Sequence, residues 1–91
     1  MPSIAAIIVK IMPVSPNSNL HEIEKKAQQV MASHGAKNIS FEQKKVAFGL
    51  KSIHMKMAIA EDKGTDFVET ELAKIPEVSS VTIEDYRRAF G

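Results

Sequence analysis

Residues Ile39–Ile59, ISFEQKKVAFGLKSIHMKMAI, hold two alternating runs separated by a short irregular stretch. In the first, Ile39 and Phe41 fall on one side and Asn38, Ser40 and Glu42 on the other. In the second, Ile53, Met55, Met57 and Ile59 alternate with His54, Lys56 and Ala58. A period of two marks a strand with one buried face. The stretch therefore predicts a half-buried edge strand, a turn over Val46–Leu50, and a second strand with a clear inner face.

Towards the N-terminus, Ile4–Met12 is almost continuously apolar and rich in β-branched residues, which predicts a central strand. Pro13 and Pro16 stop it, and residues 13–18 read as a loop. Asn19 followed by Glu22 forms a capping box. Leu20, Ile23, Ala27, Val30 and Met31 then recur at helical spacing, and Lys25, Lys26, Gln28 and Gln29 lie largely off that face. Gly35 is placed to end the helix. Towards the C-terminus, residues 61–64 read as a loop, Thr65 or Asp66 as a cap, and Asp66 with Glu69 as a second box. Val68, Leu72 and Ile75 make the core face of a second helix, ended by Pro76. Val81 and Ile83 mark a last strand, and Tyr86–Gly91 reads as a tail.

The order β-α-β-β-α-β predicts an α+β fold, the ferredoxin-like split βαβ sandwich. It has a four-stranded antiparallel sheet in the order 4-1-3-2 with two helices on one face. Residues 1–91 read as one domain. Strands one and two run up, three and four down. Loops 13–18, 46–50 and 76–79 then gather at the upper end, and loops 34–37 and 60–65 with the tail at the lower. A strand of about eight residues spans roughly 26 Å, so Phe48 and Arg87-Arg88 are expected at opposite ends.

Bulk properties exclude several function classes. Only 91 residues leave a modest core and no room for a deep active site. A net charge of +1 gives no global field for nucleic acid or an anionic membrane. With no cysteine, disulfides, thiol catalysis and thiolate metal sites are excluded, which fits a reducing interior. Ile4–Met12 is interrupted by Lys10 and lacks a preceding basic region, unlike a signal peptide. No apolar run nears the roughly 18 residues of a membrane helix. A soluble cytoplasmic protein is expected. His21, His34 and His54 do not pair at helical spacing, so no metal site is expected, and no Ser-His-Asp arrangement follows from spacing.

Two places carry candidate chemistry. Phe48 beside Gly49 is either a protruding aromatic that fills a partner's apolar pocket, with Gly49 supplying a special backbone angle, or a residue folded back over the core edge. Arg87-Arg88 after Tyr86 is either a mobile cationic tip for a phosphate or carboxylate, or a solvated tail balanced by Glu84 and Asp85. Glu61–Asp66 lacks the alternating acids of a calcium loop and reads as a turn into a helix. Met55 and Met57 read as core. The fold itself selects no function. Strands one and three lack the aromatics of an RNA-recognition motif, and a copper chaperone of this topology needs a cysteine pair. A small-molecule-binding regulatory module and a weak RNA-binding domain stay open as alternatives.

The chain resembles the archaeal type of translation elongation factor 1-beta, a family of isolated guanine-nucleotide-exchange domains. The resemblance runs over essentially the whole chain. Its parts are Met12-Pro13 with Ser15-Pro16, Ala47-Phe48-Gly49-Leu50-Lys51, Glu61-Asp62-Lys63-Gly64-Thr65-Asp66, and Val78-Ser79-Ser80-Val81. It implies an exchange factor rather than an enzyme, one that binds the GDP form of elongation factor 1-alpha and speeds GDP release so that GTP can load. It also implies a wedge between two domains of that partner. The family's aromatic-glycine pair matches Phe48-Gly49 and touches the partner's second domain. A basic residue near the C-terminus disturbs the magnesium and phosphate site; Arg88 is the nearest match, with Arg87 beside it. The implied partner-contact set is Phe48, Gly49, Lys51, Tyr86, Arg87 and Arg88. No cofactor, nucleic acid or membrane is implied, and the free protein is expected to be monomeric. The chain departs from relatives in having Lys45-Val46 where Pro-Ile is usual, and arginine where eukaryotic members carry a lysine near the end.

Overall fold

The computed structural model describes residues 4–60 and 64–89. They form β1 (Ile4–Pro13), α1 (Leu20–Ser33), β2 (Lys37–Lys45), β3 (Lys51–Ala60), α2 (Asp66–Ala73) and β4 (Val78–Ala89), with a short 3-10 turn at Ala47–Gly49 between β2 and β3. The strands make one sheet in the order β2-β3-β1-β4, every neighbouring pair antiparallel. This is the expected ferredoxin-like α+β sandwich, with the strand order read from the opposite edge.

The core follows from the period-two patterns. Ala5, Ile7, Val9 and Ile11 of β1 and Ile53, Met55, Met57 and Ile59 of β3 are buried beneath Ile23, Ala27 and Met31 of α1 and Val68 and Leu72 of α2. Each large side chain of this set contributes about 1.5–3 kcal/mol by leaving water. The two central strands supply most of the sheet's share, while Ile39, Phe41, Val81 and Ile83 of the outer strands pack against the core only in part.

Helix α1 has both predicted ends. Asn19 Oδ1 accepts a hydrogen bond from the Glu22 backbone N–H at 3.2 Å. At the other end Gly35 has φ +89, and the N–H groups of Gly35 and Ala36 donate to the carbonyls of Ala32 and Met31, each at 3.0 Å. That pattern is a Schellman motif, and its left-handed residue favours glycine. The second predicted cap is not formed. Thr65 occupies the N-cap position of α2 without a side-chain hydrogen bond, and Asp66 and Glu69 both lie in the first turn. Their carboxylates complement the helix dipole instead of closing a box.

The reading of Tyr86–Gly91 as a tail requires correction. Strand β4 continues to Ala89, with Tyr86 opposite Ile7, Arg87 opposite Ala6 and Arg88 opposite Ala5. The N-terminal half of β1 would otherwise leave its backbone donors and acceptors without partners along that side. Charged side chains are well suited to an edge strand, so the arginines do not interrupt the ladder. Glu61, Asp62, Lys63, Phe90 and Gly91, parts of motifs read from the sequence, lie outside the described residues.

At the upper end the loop after β1 is tied to the segment before β4. The Val14 N–H donates to the Glu77 carbonyl at 2.9 Å, and Ser18 Oγ donates to Glu77 Oε2 at 3.0 Å. The Cα atoms extend over 44 × 21 × 19 Å, so the molecule is about twice as long as it is wide. Its two ends are well separated surfaces.

Candidate functional site

The upper end is dominated by the β2–β3 hairpin. Lys45 opposite Lys51 is the last ladder pair, and above it the Val46 N–H donates to the Leu50 carbonyl at 2.9 Å. The Leu50 N–H turns back to the Ala47 carbonyl at 3.3 Å. Phe48 has φ +62 and ψ +30, and Gly49 follows with φ +75. Two successive left-handed residues reverse the chain tightly. They also carry the phenyl ring outward, where Phe48 is 93% exposed. Of the two readings of Phe48, the structure takes the projecting one. A left-handed backbone at a bulky L-residue costs on the order of 1–2 kcal/mol, and no core contact of the ring offsets it. A Cβ built on Gly49 meets nothing within 4 Å, so the demand for glycine there comes from its dihedral angle rather than from space. Lys51 is exposed at the base of the turn.

The lower end carries the cations. Successive side chains of a strand point to opposite faces, and β4 separates its two arginines in this way. Arg87, opposite exposed Ala6, borders a hollow of about 470 Å³ on the open face, lined also by Ile8, Lys56, Ala58 and Asp85. Its Nε donates to Asp85 Oδ2 at 3.1 Å, and the side chain stays 80% exposed. Arg88 and Tyr86 lie opposite Ala5 and Ile7, on the helix-covered side. The expected joint cationic tip is therefore two cations on two faces. From Lys51 to Ile59, which lies at the level of Ala5 and Arg88, β3 runs about 26 Å at ~3.3 Å per residue.

Between the ends, the open face holds an arrangement that spacing did not disclose. His54 Nδ1 contacts Glu84 Oε1 at 2.8 Å, and His54 Nε2 contacts Ser52 Oγ at 2.8 Å. Ser52 Oγ also donates to the Lys44 carbonyl at 3.4 Å. Residues 54 and 84 meet across β1, where the β4 register passes from Val9–Ile83 to Ile8–Asp85 and a bulge leaves Glu84 as the extra residue. Alternation signals that His54 points outward, but a bulge has no local sequence mark here. Ser52 is fully buried, so its hydroxyl meets no substrate and the chain is not a hydrolytic triad. Among the described residues, no group of three or more His, Asp or Glu is placed to hold a metal ion. No described helix is long and apolar enough to cross a membrane.

Comparison with known proteins gives a consistent match. The sequence model of a family described as EF-1 guanine nucleotide exchange domain matches residues 6–89. The protein named Elongation factor 1-beta from Haloarcula marismortui is 36% identical over 81 residues, covering 88% of this chain and 91% of the relative. Its namesake from Methanocella arvoryzae is 36% identical over 83 residues, covering 90% and 92%. That from Methanocaldococcus jannaschii is 35% identical over 78 residues, covering 84% and 88%. The matched span includes both the Phe48 hairpin and the Arg87–Arg88 segment.

Proposed function

The chain belongs to the EF-1 guanine nucleotide exchange domain family, and from that premise we propose that it promotes release of GDP from elongation factor 1-alpha so that GTP can rebind. It is a translation elongation exchange factor by family, and it acts without making or breaking covalent bonds. In this reading the 91 residues work as one exchange unit, monomeric when free, in the cytoplasm where elongation proceeds.

The observation that carries the reading is Phe48, a strained and 93% exposed aromatic at one end of a 44 Å body whose other end bears Arg87 and Arg88. A small rigid sheet with an apolar anchor at one end and cations at the other suits a wedge between two domains of a larger partner. Buried aromatics and arginines are the residues that dominate interface energy. Phe48, Gly49 and Lys51 contact one domain; Tyr86, Arg87 and Arg88 approach the nucleotide-binding domain. Arg88 is our choice for the cation that disturbs the magnesium and phosphate site. A cation brought there competes electrostatically with the metal. To accelerate release, the protein needs only to bind the nucleotide-free partner better than the GDP-bound one.

The test is release of fluorescent GDP from the cognate elongation factor 1-alpha. Acceleration by micromolar amounts of this protein is expected. A release rate unchanged across that range rejects the proposal.

A further inference from the structure

We infer that His54 is a positioning residue for the Phe48 hairpin, acting through a proton-sensitive strap that runs from Glu84 to Ser52 across the open face of the sheet. The hairpin needs such a tether. Beyond Phe41, residues 42–45 of β2 are all exposed, so the stem below the Ala47–Gly49 turn has little core contact of its own on that strand. On the helix side, Gln43 Nε2 donates to Glu24 Oε2 at 3.0 Å. On the open side the stem is held through Ser52, whose ladder partner Lys44 lies one pair below the closing Lys45–Lys51 pair. From Ser52 the contacts pass to His54 and then over β1 to Glu84.

The donors and acceptors of this strap depend on one proton. When His54 is an imidazolium, Nδ1–H donates to Glu84 and Nε2–H donates to Ser52 Oγ, which leaves the Ser52 hydroxyl proton for the Lys44 carbonyl. When His54 is neutral with its proton on Nδ1, Nε2 becomes an acceptor. The Ser52 hydroxyl then turns to it, and the Lys44 carbonyl loses that donor. Losing a proton from His54 thus removes the side-chain bond to β2 at the root of the hairpin, leaves the Lys44–Ser52 and Lys45–Lys51 ladder pairs in place, and keeps the His54–Glu84 contact. The charged groups facing His54 are Glu42 opposite on β2, Lys10 opposite on β1, Glu84 and then Asp85 on β4, and Lys56 on β3, with Lys44 two pairs further up. His54 is 12% exposed at its side chain and Glu84 40%, so the strap is reached by solvent protons from the Glu84 end.

The structural half of this inference stands on the free protein; only its consequence for exchange rests on the proposed function. The experiment is an NMR pH titration from 5 to 8 of the free protein. It follows the His54 ring and the backbone amides of residues 44–52 in the wild type, Glu84→Gln, His54→Gln and Ser52→Ala. In the wild type the hairpin amides are expected to titrate with the midpoint of the His54 ring. In Glu84→Gln the ring and amide midpoints should still coincide, and Ser52→Ala should abolish the amide response. Hairpin amides that stay flat through the His54 titration overturn the inference. In GDP release, the ratio of wild-type to His54→Gln rates should be about two- to tenfold at the acid end, the range of one hydrogen bond, and should fall as pH rises. A constant ratio with a titrating hairpin rejects the positioning role. A wild type that releases no GDP at any pH rejects the exchange reading and leaves the strap to be judged by the amides.

Discussion

Arg87 and Arg88 are neighbours in the chain and leave β4 on opposite faces of the sheet, Arg87 opposite Ala6 on the open face and Arg88 opposite Ala5 on the helix-covered face. A single phosphate site cannot be reached equally by both from a rigid strand. If its cation acts at the metal and phosphates as proposed, Arg88→Ala is expected to slow GDP release more than it weakens complex formation. Arg87→Ala should change exchange less than Arg88→Ala, since Arg87 leaves the strand on the other face. Stopped-flow release compared with equilibrium binding separates the two, and equal effects on exchange would reject the assignment of Arg88.

Phe48→Ala should weaken partner binding by on the order of 2 kcal/mol, the loss of a central aromatic anchor. Its effect on folding should be small, because a side chain 93% exposed has little packing to lose. Calorimetric titration and thermal melting check the two halves. Unchanged affinity with an intact fold would remove Phe48 from the interface.

Gly49→Ala should destabilise the protein by about 1 kcal/mol through its φ of +75 alone, since the added Cβ meets no neighbour within 4 Å. Gly49→Asn should cost less, because asparagine tolerates the left-handed region. Urea midpoints of the two variants give the comparison.

The two helix starts should respond differently to truncation. Asn19→Ala removes the acceptor of the Glu22 N–H and should cost about 1 kcal/mol. Thr65→Ala removes no capping bond and should stay within ~0.5 kcal/mol. Chemical denaturation of the pair measures this difference directly.

The fold was legible because its two central strands write their burial into the sequence. Ile53, Met55, Met57 and Ile59 alternate without a break, and so do the buried positions of β1. Asn19 and Gly35 announced α1 because their roles depend on dihedrals and short-range hydrogen bonds. What stayed hidden depends on distant partners. Tyr86–Arg88 carry no strand signal of their own, and they join the sheet because β1 offers unpaired backbone groups. Thr65 has the right chemistry for a cap but makes no capping bond. The site was legible by halves. Phe48 and Gly49 stood out in a turn, yet a left-handed phenylalanine runs against ordinary propensity, so its outward projection is visible only in the folded hairpin. The Ser52–His54–Glu84 chain has no such signal, because residues 54 and 84 lie far apart in sequence and meet across β1, at a bulge of β4.

That bulge also sets a parity. Glu84 is taken up between the pairs Val9–Ile83 and Ile8–Asp85, so the chain gains one residue there without changing face. A β4 of equal length with regular pairing would put Glu84 opposite Ile8 and Arg87 opposite Ala5, and the two arginines would trade sides. Homologous basic residues near this terminus are therefore matched by the number of ladder rungs from β1, not by the number of residues from the end. A relative lacking the bulge would present its equivalent cation one position earlier.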